Sequence, residues 1–310
     1  MGIRSDTVLA EACKLIETCG MSQASDMLND ALVSDLGNQS LVFAIQGCNF
    51  WRLCFSAIQD MGCFERGETL VEQWCQFKKL IQKQEEPDES TVYSFTKGVF
   101  SFALEQYSKA SSEKDTGLQS EICRKKGLCY KKLGSYETAL SCLMEANEVM
   151  PGQAAVVAEM ADCYALCGEA KYAKLLFREA FFIDAQKVNL DFLDAPLINL
   201  LVDEVRKAGY DGVVLLEWIP VYGVLLNVLN VKRELRSQEF LRLKQDIFSR
   251  ESELKDSSFT DTTLCTPRLL NLYFWLIDYY VLSKASVSKI NEVLLKIKLL
   301  DKEIYQRYVK

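Results

Sequence analysis

The stretch that decides the fold covers residues 120–153, SEICRKKGLCYKKLGSYETALSCLMEANEVMPGQ, and residues 154–187, AAVVAEMADCYALCGEAKYAKLLFREAFFIDAQK. The second half superposes on the first without a gap at a shift of 34 residues. Repetition at such a period is the sequence signature of an array of small structural units. Identical residues then meet at these positions: Cys129 and Cys163, Tyr130 and Tyr164, Gly134 and Gly168, Ala139 and Ala173, Glu145 and Glu179, and Ala146 and Ala180.

Each unit of the repeat is predicted to be a pair of helices with a glycine at the turn. Small residues such as Gly127, Ala139 and Ala146 allow the paired helices to approach closely. Ser135 is placed to cap the second helix of the first pair, and Pro151 to begin the helix that follows. The predicted helices cover residues 118–133, 136–149, 153–167 and 170–184.

The pattern Gly127-x2-Tyr130-x8-Ala139-x3-Leu143-x2-Ala146-x4-Pro151 resembles the signature of the tetratricopeptide repeat, or TPR. The resemblance is strongest over residues 120–187 and implies an all-α fold: a right-handed α-solenoid of TPR-type helical hairpins with extra carboxy-terminal capping helices. The second copy matches the signature at Ala161, Tyr164, Ala173, Phe177 and Ala180, and has Ala185 where proline is usual.

The rest of the chain is divided by how well it follows this pattern. Residues 1–86 are predicted to be degenerate TPR-like hairpins, with possible frames at 5–38 and 48–81. Residues 87–189 contain one long helix over 89–111, capped by Asp88 and without an obvious partner, and then the two well-formed repeats. Residues 190–310 lose the period and are predicted to form a non-repeating helical bundle that caps the array. Its helices are expected at 194–208, 211–230, 237–256, 265–284 and 286–308, with a loop at 257–263.

Composition excludes several classes of function. The 310 residues include no histidine, which removes the Ser-His-Asp and Cys-His mechanisms and the commonest metal ligand. A net charge of −7 argues against nucleic acid as the partner. The twelve cysteines contain no C-x-x-C pair and are expected to be reduced thiols of a cytoplasmic protein. We therefore expect no enzyme activity, no metal, no cofactor and no membrane span, and we favour a monomer.

The TPR resemblance implies that the first helix of each pair lines a concave face that binds an extended peptide or a helix of another protein. Arg124 and Lys131 could pair with an acidic group of this partner, although Glu121 and Asp162 dilute that preference. The predicted partner-binding residues are Glu121, Arg124, Leu128, Lys131, Ala155, Ala158, Asp162 and Ala165. The function expected is that of a non-catalytic scaffold or adaptor.

A second hypothesis concerns the aromatic side chains of the carboxy-terminal third. Trp218, Tyr222 and Trp275 could line a pocket for a small apolar ligand, which would make the protein a sensor or carrier. The same residues could equally be ordinary core, since aromatic side chains bury a large area. A cavity beside these rings would favour the pocket, and a filled core would favour the second interpretation.

Overall fold

The computed structural model describes residues 2–110, 115–255 and 263–310 and is all-helical over them, with fifteen α-helices, two short 3₁₀ helices and no strand. Contacts divide the chain into two compact units, Met1–Met150 and Pro151–Lys310. This division falls inside the segment 87–189, which was defined by sequence pattern rather than by contacts. Except for Thr263, the loop predicted at 257–263 lies outside the described residues.

The helices of the first unit are α1 (Gly2–Glu17), α2 (Met21–Ser34), α3 (Gln39–Ala57), α4 (Cys63–Ile81), α5 (Glu89–Lys109), α6 (Thr116–Lys132) and α7 (Tyr136–Val149). Neighbours in sequence pack together at α1–α2, α2–α3, α4–α5 and α6–α7, but α3 and α4 make few mutual contacts. The aromatic core between these helices contains Trp51, Trp74, Phe77, Phe95 and Phe100, all of which are buried.

Helix α5 lies at the centre of this unit. As predicted, Asp88 caps it, and the Asp88 side chain accepts a hydrogen bond of 2.7 Å from the backbone N–H of Thr91. The expectation that this helix lacks a partner was wrong, because α5 packs against α1, α4 and α6. Its apolar residues are spread around much of the helix, since Phe95, Val99 and Phe100 are all buried, and such a helix needs neighbours on several sides.

The hairpin α6–α7 closes with a turn in which Gly134 has a φ of +79°. The N–H of Ser135 donates to the carbonyl of Tyr130 at 2.9 Å, and the N–H of Gly134 donates to that of Lys131 at 3.0 Å. Paired bonds of this kind satisfy the last carbonyls of a helix and favour glycine in the left-handed conformation. Ser135 stands at the cap position of α7, but its side chain makes no capping hydrogen bond.

The helices of the second unit are α8 (Ala154–Leu166), α9 (Ala170–Asp184), α10 (Pro196–Lys207), α11 (Gly212–Leu225), α12 (Ser237–Lys255), α13 (Cys265–Leu282), α14 (Val287–Leu300) and α15 (Lys302–Tyr308), with 3₁₀ turns at Ala185–Lys187 and Leu190–Phe192. The turn of α8–α9 repeats that of α6–α7: Gly168 has a φ of +86°, and the N–H of Glu169 donates to the carbonyl of Tyr164 at 2.8 Å. Pro151 does not begin α8 but lies in the turn before it.

Two predicted helices of this unit differ from the observed ones. The helix expected over 286–308 is divided at Asp301, whose side chain accepts from the backbone N–H groups of Glu303 and Ile304 and so begins α15. The helix expected over 211–230 ends at Leu225, and Asn227 follows with a φ of +58°. In both places a side-chain cap or a turn competes locally with a continuing apolar pattern.

Candidate functional site

The four predicted partner-binding residues of α6 differ in exposure. Leu128 and Lys131 are buried, with only 1% and 2% of their surface exposed. Glu121 and Arg124 are partly exposed and paired, since Arg124 Nε donates to Glu121 Oε2 at 2.8 Å and a second guanidinium nitrogen contacts the other carboxylate oxygen. This two-point pair is the accessible polar feature among the four residues.

A polar network that the sequence analysis missed lies behind this pair. Lys125 Nζ lies 2.8 Å from Glu68 Oε2 on α4 and 3.8 Å from Glu121 Oε1. The Tyr107 hydroxyl on α5 donates to Glu68 Oε1 at 2.6 Å. The network therefore joins α4, α5 and α6 and holds Glu121 in place. Only the abundance of charge in the sequence could have suggested it, because its members are up to 57 residues apart.

The network shifts the pKa values of two of its members. Burial acts to raise the pKa of Glu121, but the hydrogen bonds from Arg124 and the attraction of Arg124 and Lys125 outweigh it, and the pKa lies below its usual 4.5. Burial, and then the neighbouring Glu68 carboxylate, raise the pKa of Tyr107. At neutral pH the carboxyl of Glu121 is therefore charged and the phenol of Tyr107 is neutral.

A carboxyl whose pKa is lowered by folding stabilises the protein above its unfolded pKa, and this contribution is lost as the pH falls through the folded value. Glu121→Gln should therefore lower the melting temperature at pH 7, and the difference from the wild type should shrink as the pH falls below about 4.5. Thermal melts between pH 3 and 7 measure this. Glu137→Gln on α7 is the control, because Glu137 is exposed. A difference for Glu121→Gln that is constant across the range would contradict the assignment.

Two of the four predicted residues of α8 are buried. Ala158 and Asp162 are 1% and 0% exposed, while Ala155 and Ala165 are partly exposed. Asp162 has an internal role that sequence reasoning did not find: its carboxylate accepts from the backbone N–H of Ala195 at 2.8 Å and from that of Asp194 at 3.0 Å. These N–H groups directly precede α10, so the carboxylate stabilises the start of that helix.

The three aromatic residues of the second hypothesis are enclosed by other side chains. Trp275 is 1% exposed, with the ring of Phe182 at 4.4 Å and the guanidinium of Arg178 at 4.7 Å. Trp218 is stacked on Tyr210 at 4.4 Å. The Tyr222 ring has the guanidinium of Arg307 at 4.8 Å. All three rings are therefore buried and in contact with other side chains.

A cleft of about 350 Å³ lies elsewhere in the second unit, between the end of α9 and helices α11, α12 and α13. At its base Glu217 is buried and accepts from Arg268 at 2.7 Å and from Gln186 at 2.6 Å. Its lining includes Arg242, Arg250 and Arg268 and the carboxylates of Asp184, Glu217 and Asp246.

No protein-family model matches the chain, and no curated protein matches it either. Among the described residues, no helix combines the length and the apolar character that crossing a membrane requires.

Proposed function

We propose that this protein is a non-catalytic, TPR-type scaffold or adaptor that binds a peptide or helix of another protein. The observation that carries the proposal is the likeness of the hairpins α6–α7 and α8–α9. Their turns have the same hydrogen bonds, and the same small residues are buried at a spacing of 34 residues. Ala139, Ala146, Ala173 and Ala180 are all 0% exposed.

Small buried residues at these places support helical hairpins of the TPR class, in which close helix packing leaves the face of the first helix for a partner. A right-handed solenoid with carboxy-terminal capping helices is the arrangement we propose. The lack of histidine supports a binding function rather than an enzyme. The twelve cysteines are free thiols, which supports a cytoplasmic location. A monomer is our proposal for the oligomeric state.

The partner-binding residues that we favour are the accessible ones of the two predicted faces, considered separately. On α6 these are Glu121 and Arg124, and on α8 they are Ala155 and Ala165. The two oxygens of the Glu121 carboxylate contact two nitrogens of the Arg124 guanidinium, which orients this group before a partner arrives. The positive charge of Arg124 favours a peptide that carries a carboxylate.

Replacing Arg124 with glutamate should reduce partner binding by about tenfold or more, because a hydrogen bond to a charged group contributes roughly 1.5–3 kcal/mol. The purified chain is immobilised and exposed to a lysate of its own source cells, and the retained proteins are quantified by mass spectrometry. Arg52→Glu is the matched control, since Arg52 is an exposed arginine on α3 of the same unit. We expect that at least one protein is retained by the wild type and by Arg52→Glu but is lost from Arg124→Glu.

The face of α8 is tested with its own pair of variants. Ala155→Glu introduces a charge on the predicted face, and Ala170→Glu introduces the same charge at an exposed position of α9. Circular dichroism confirms that each variant is folded before binding is compared. Retention of the same proteins in the same amounts by all four variants and the wild type would contradict the proposal.

A ligand pocket at Trp218, Tyr222 and Trp275 is the weaker proposal. The three residues are buried and each contacts another ring or a guanidinium group, as core residues also do.

A further inference from the structure

Cys123 of α6 and Cys142 of α7 lie at the same level along the contact between these two antiparallel helices. On one side of this level the Ser120 hydroxyl donates to the carbonyl of Ala146 at 2.9 Å. On the other side, a Cβ added to Gly127 would lie 3.1 Å from the carbonyl oxygen of Ala139. Cys123 is one turn after Ser120 and one turn before Gly127. Cys142 is likewise one turn after Ala139 and one turn before Ala146, so the two antiparallel helices bring the cysteines to the same level.

The helices are in close contact one turn to either side of this level. The Cβ added to Gly127 would also lie 2.7 Å from Leu143 Cγ, so the Leu143 side chain packs directly on the Gly127 backbone. A disulfide needs Cα atoms about 4.4–6.8 Å apart, which facing helices reach only where one of them carries a glycine or another small residue. Gly127 is one turn from Cys123 and provides this approach.

The electrostatic surroundings of the two thiols also place them together. Burial and then Glu145 raise the pKa of Cys123 to about 11, with a smaller increase from Cys142 and an opposing effect of Lys126. Burial and then Glu145 raise the pKa of Cys142, and Lys126 again lowers it. The two thiols thus share the same charged neighbours, and one acts directly on the other.

We propose that Cys123 and Cys142 are a redox-active pair that forms a reversible disulfide across the α6–α7 hairpin. The pair is specific to this hairpin, because the equivalent positions of α8 and α9 are Val157 and Leu176. It does not depend on the proposed binding function. Cys142 is partly exposed, so its thiolate reacts first with an oxidant from solution. Cys123 is only 7% exposed, and its thiolate attacks the Cys142 sulfur in the second step.

A small disulfide such as oxidised glutathione supplies the oxidant. The Cys142 thiolate attacks one glutathione sulfur, the S–S bond of glutathione breaks, and one reduced glutathione leaves. The Cys123 thiolate then attacks the Cys142 sulfur of the mixed disulfide, the Cys123–Cys142 bond forms, and the second glutathione leaves. The two protein thiols lose two electrons and two protons, and one oxidised glutathione becomes two reduced molecules.

The link should stabilise the hairpin because it closes a short loop of chain in the unfolded state. The melting temperature of the oxidised protein should therefore rise by several degrees, and a reductant should reverse the change. Because both thiols have raised pKa values, the rate of formation should increase by about tenfold per pH unit between pH 7 and 8.

The full-length reduced chain is incubated with oxidised glutathione under native conditions, quenched by alkylation and mapped as peptides without reduction. We expect a peptide pair that joins Cys123 to Cys142. In Cys123→Ser, the step that releases the second glutathione is removed, so a glutathione adduct on Cys142 should accumulate. In Cys142→Ser, neither the link nor an adduct on Cys123 should form at a comparable rate.

Cys167→Ser is the matched control, because Cys167 is exposed and a competing site of simple glutathionylation. Its removal should leave the Cys123–Cys142 link unchanged. Recovery of both thiols as free after Cys167 has reacted completely would overturn the proposal, as would a link from Cys142 to any other cysteine. Circular dichroism at the time of the quench establishes that the reacting protein is folded.

Discussion

Replacing Gly98 with alanine should destabilise the first unit by roughly 2–3 kcal/mol, because overpacking a well-packed contact typically costs 1–3 kcal/mol. A Cβ at Gly98 would lie 2.3 Å from the carbonyl oxygen of Ile16 and 3.4 Å from Glu17 Cα. Both atoms belong to the backbone of α1, so no change of rotamer can relieve the contact. Helices α1 and α5 would have to separate, and the better helix propensity of alanine, about 1 kcal/mol, is too small to offset this.

Separation of α1 from α5 would also weaken the polar contacts beside Gly98. The Cys19 thiol donates to the Gly98 carbonyl at 3.4 Å, and Lys97 pairs with Glu17 at 2.7 Å. Urea unfolding gives the change in free energy, and hydrogen exchange shows whether α1 and α5 lose protection first. Gly37→Ala is the control, since a Cβ there meets nothing within 4 Å. Equal stability of the two variants would show that the helices are not held as closely as the structure places them.

Replacing Asp278 with asparagine should destabilise the second unit by about 3–5 kcal/mol, the usual cost of breaking a buried ion pair by removing one partner. Asp278 and Arg178 are 5% and 2% exposed, and a guanidinium nitrogen of Arg178 contacts Asp278 Oδ2. The second carboxylate oxygen lies 2.9 Å from Lys232 Nζ. The substitution leaves the Arg178 charge buried against the Trp275 ring without its countercharge.

The same ion pair fixes the segment between α11 and α12. Arg178 Nη1 donates to the carbonyl of Val231 at 3.1 Å, so the loss of Asp278 should release this segment as well as lower the global stability. Hydrogen exchange should therefore rise first in peptides that cover residues 228–236. Urea unfolding measures the global effect.

An exposed pair provides the matched control. Asp203 lies 3.7 Å from Arg206 with 58% of its side chain exposed, and Asp203→Asn should change the stability by no more than about 1 kcal/mol. The double variant Arg178→Met with Asp278→Leu should recover much of the loss, because apolar residues of similar volume can replace a buried ion pair. A loss for Asp278→Asn no larger than that for Asp203→Asn would contradict the buried role.

Local signals in the sequence predicted much of the fold. The helices of the two repeats were expected within about two residues of where they occur, because spacing of apolar and small residues sets the buried face of a helix. The turns at Gly134 and Gly168 and the cap at Asp88 were expected for the same reason. Each depends on residues within a few positions of one another.

The candidate site was less predictable because exposure depends on what packs against a helix. Helical spacing places Lys131 and Asp162 on the same faces as Arg124 and Ala155, yet the first two are buried and the last two are partly exposed. Asp162 is covered by the start of α10, some 32 residues further on.

By itself the sequence determined that this protein is helical, that residues 120–187 contain two hairpins with the same turn, and that histidine chemistry is excluded. Only the tertiary structure decided that α5 is the centre of the first unit, that Glu68 and Lys125 support the Glu121–Arg124 pair, and that Arg178 meets Asp278. The reason is the range of the interactions. Turns, caps and amphipathic spacing act within a few residues, whereas the Arg178–Asp278 contact joins residues 100 positions apart that no local pattern links.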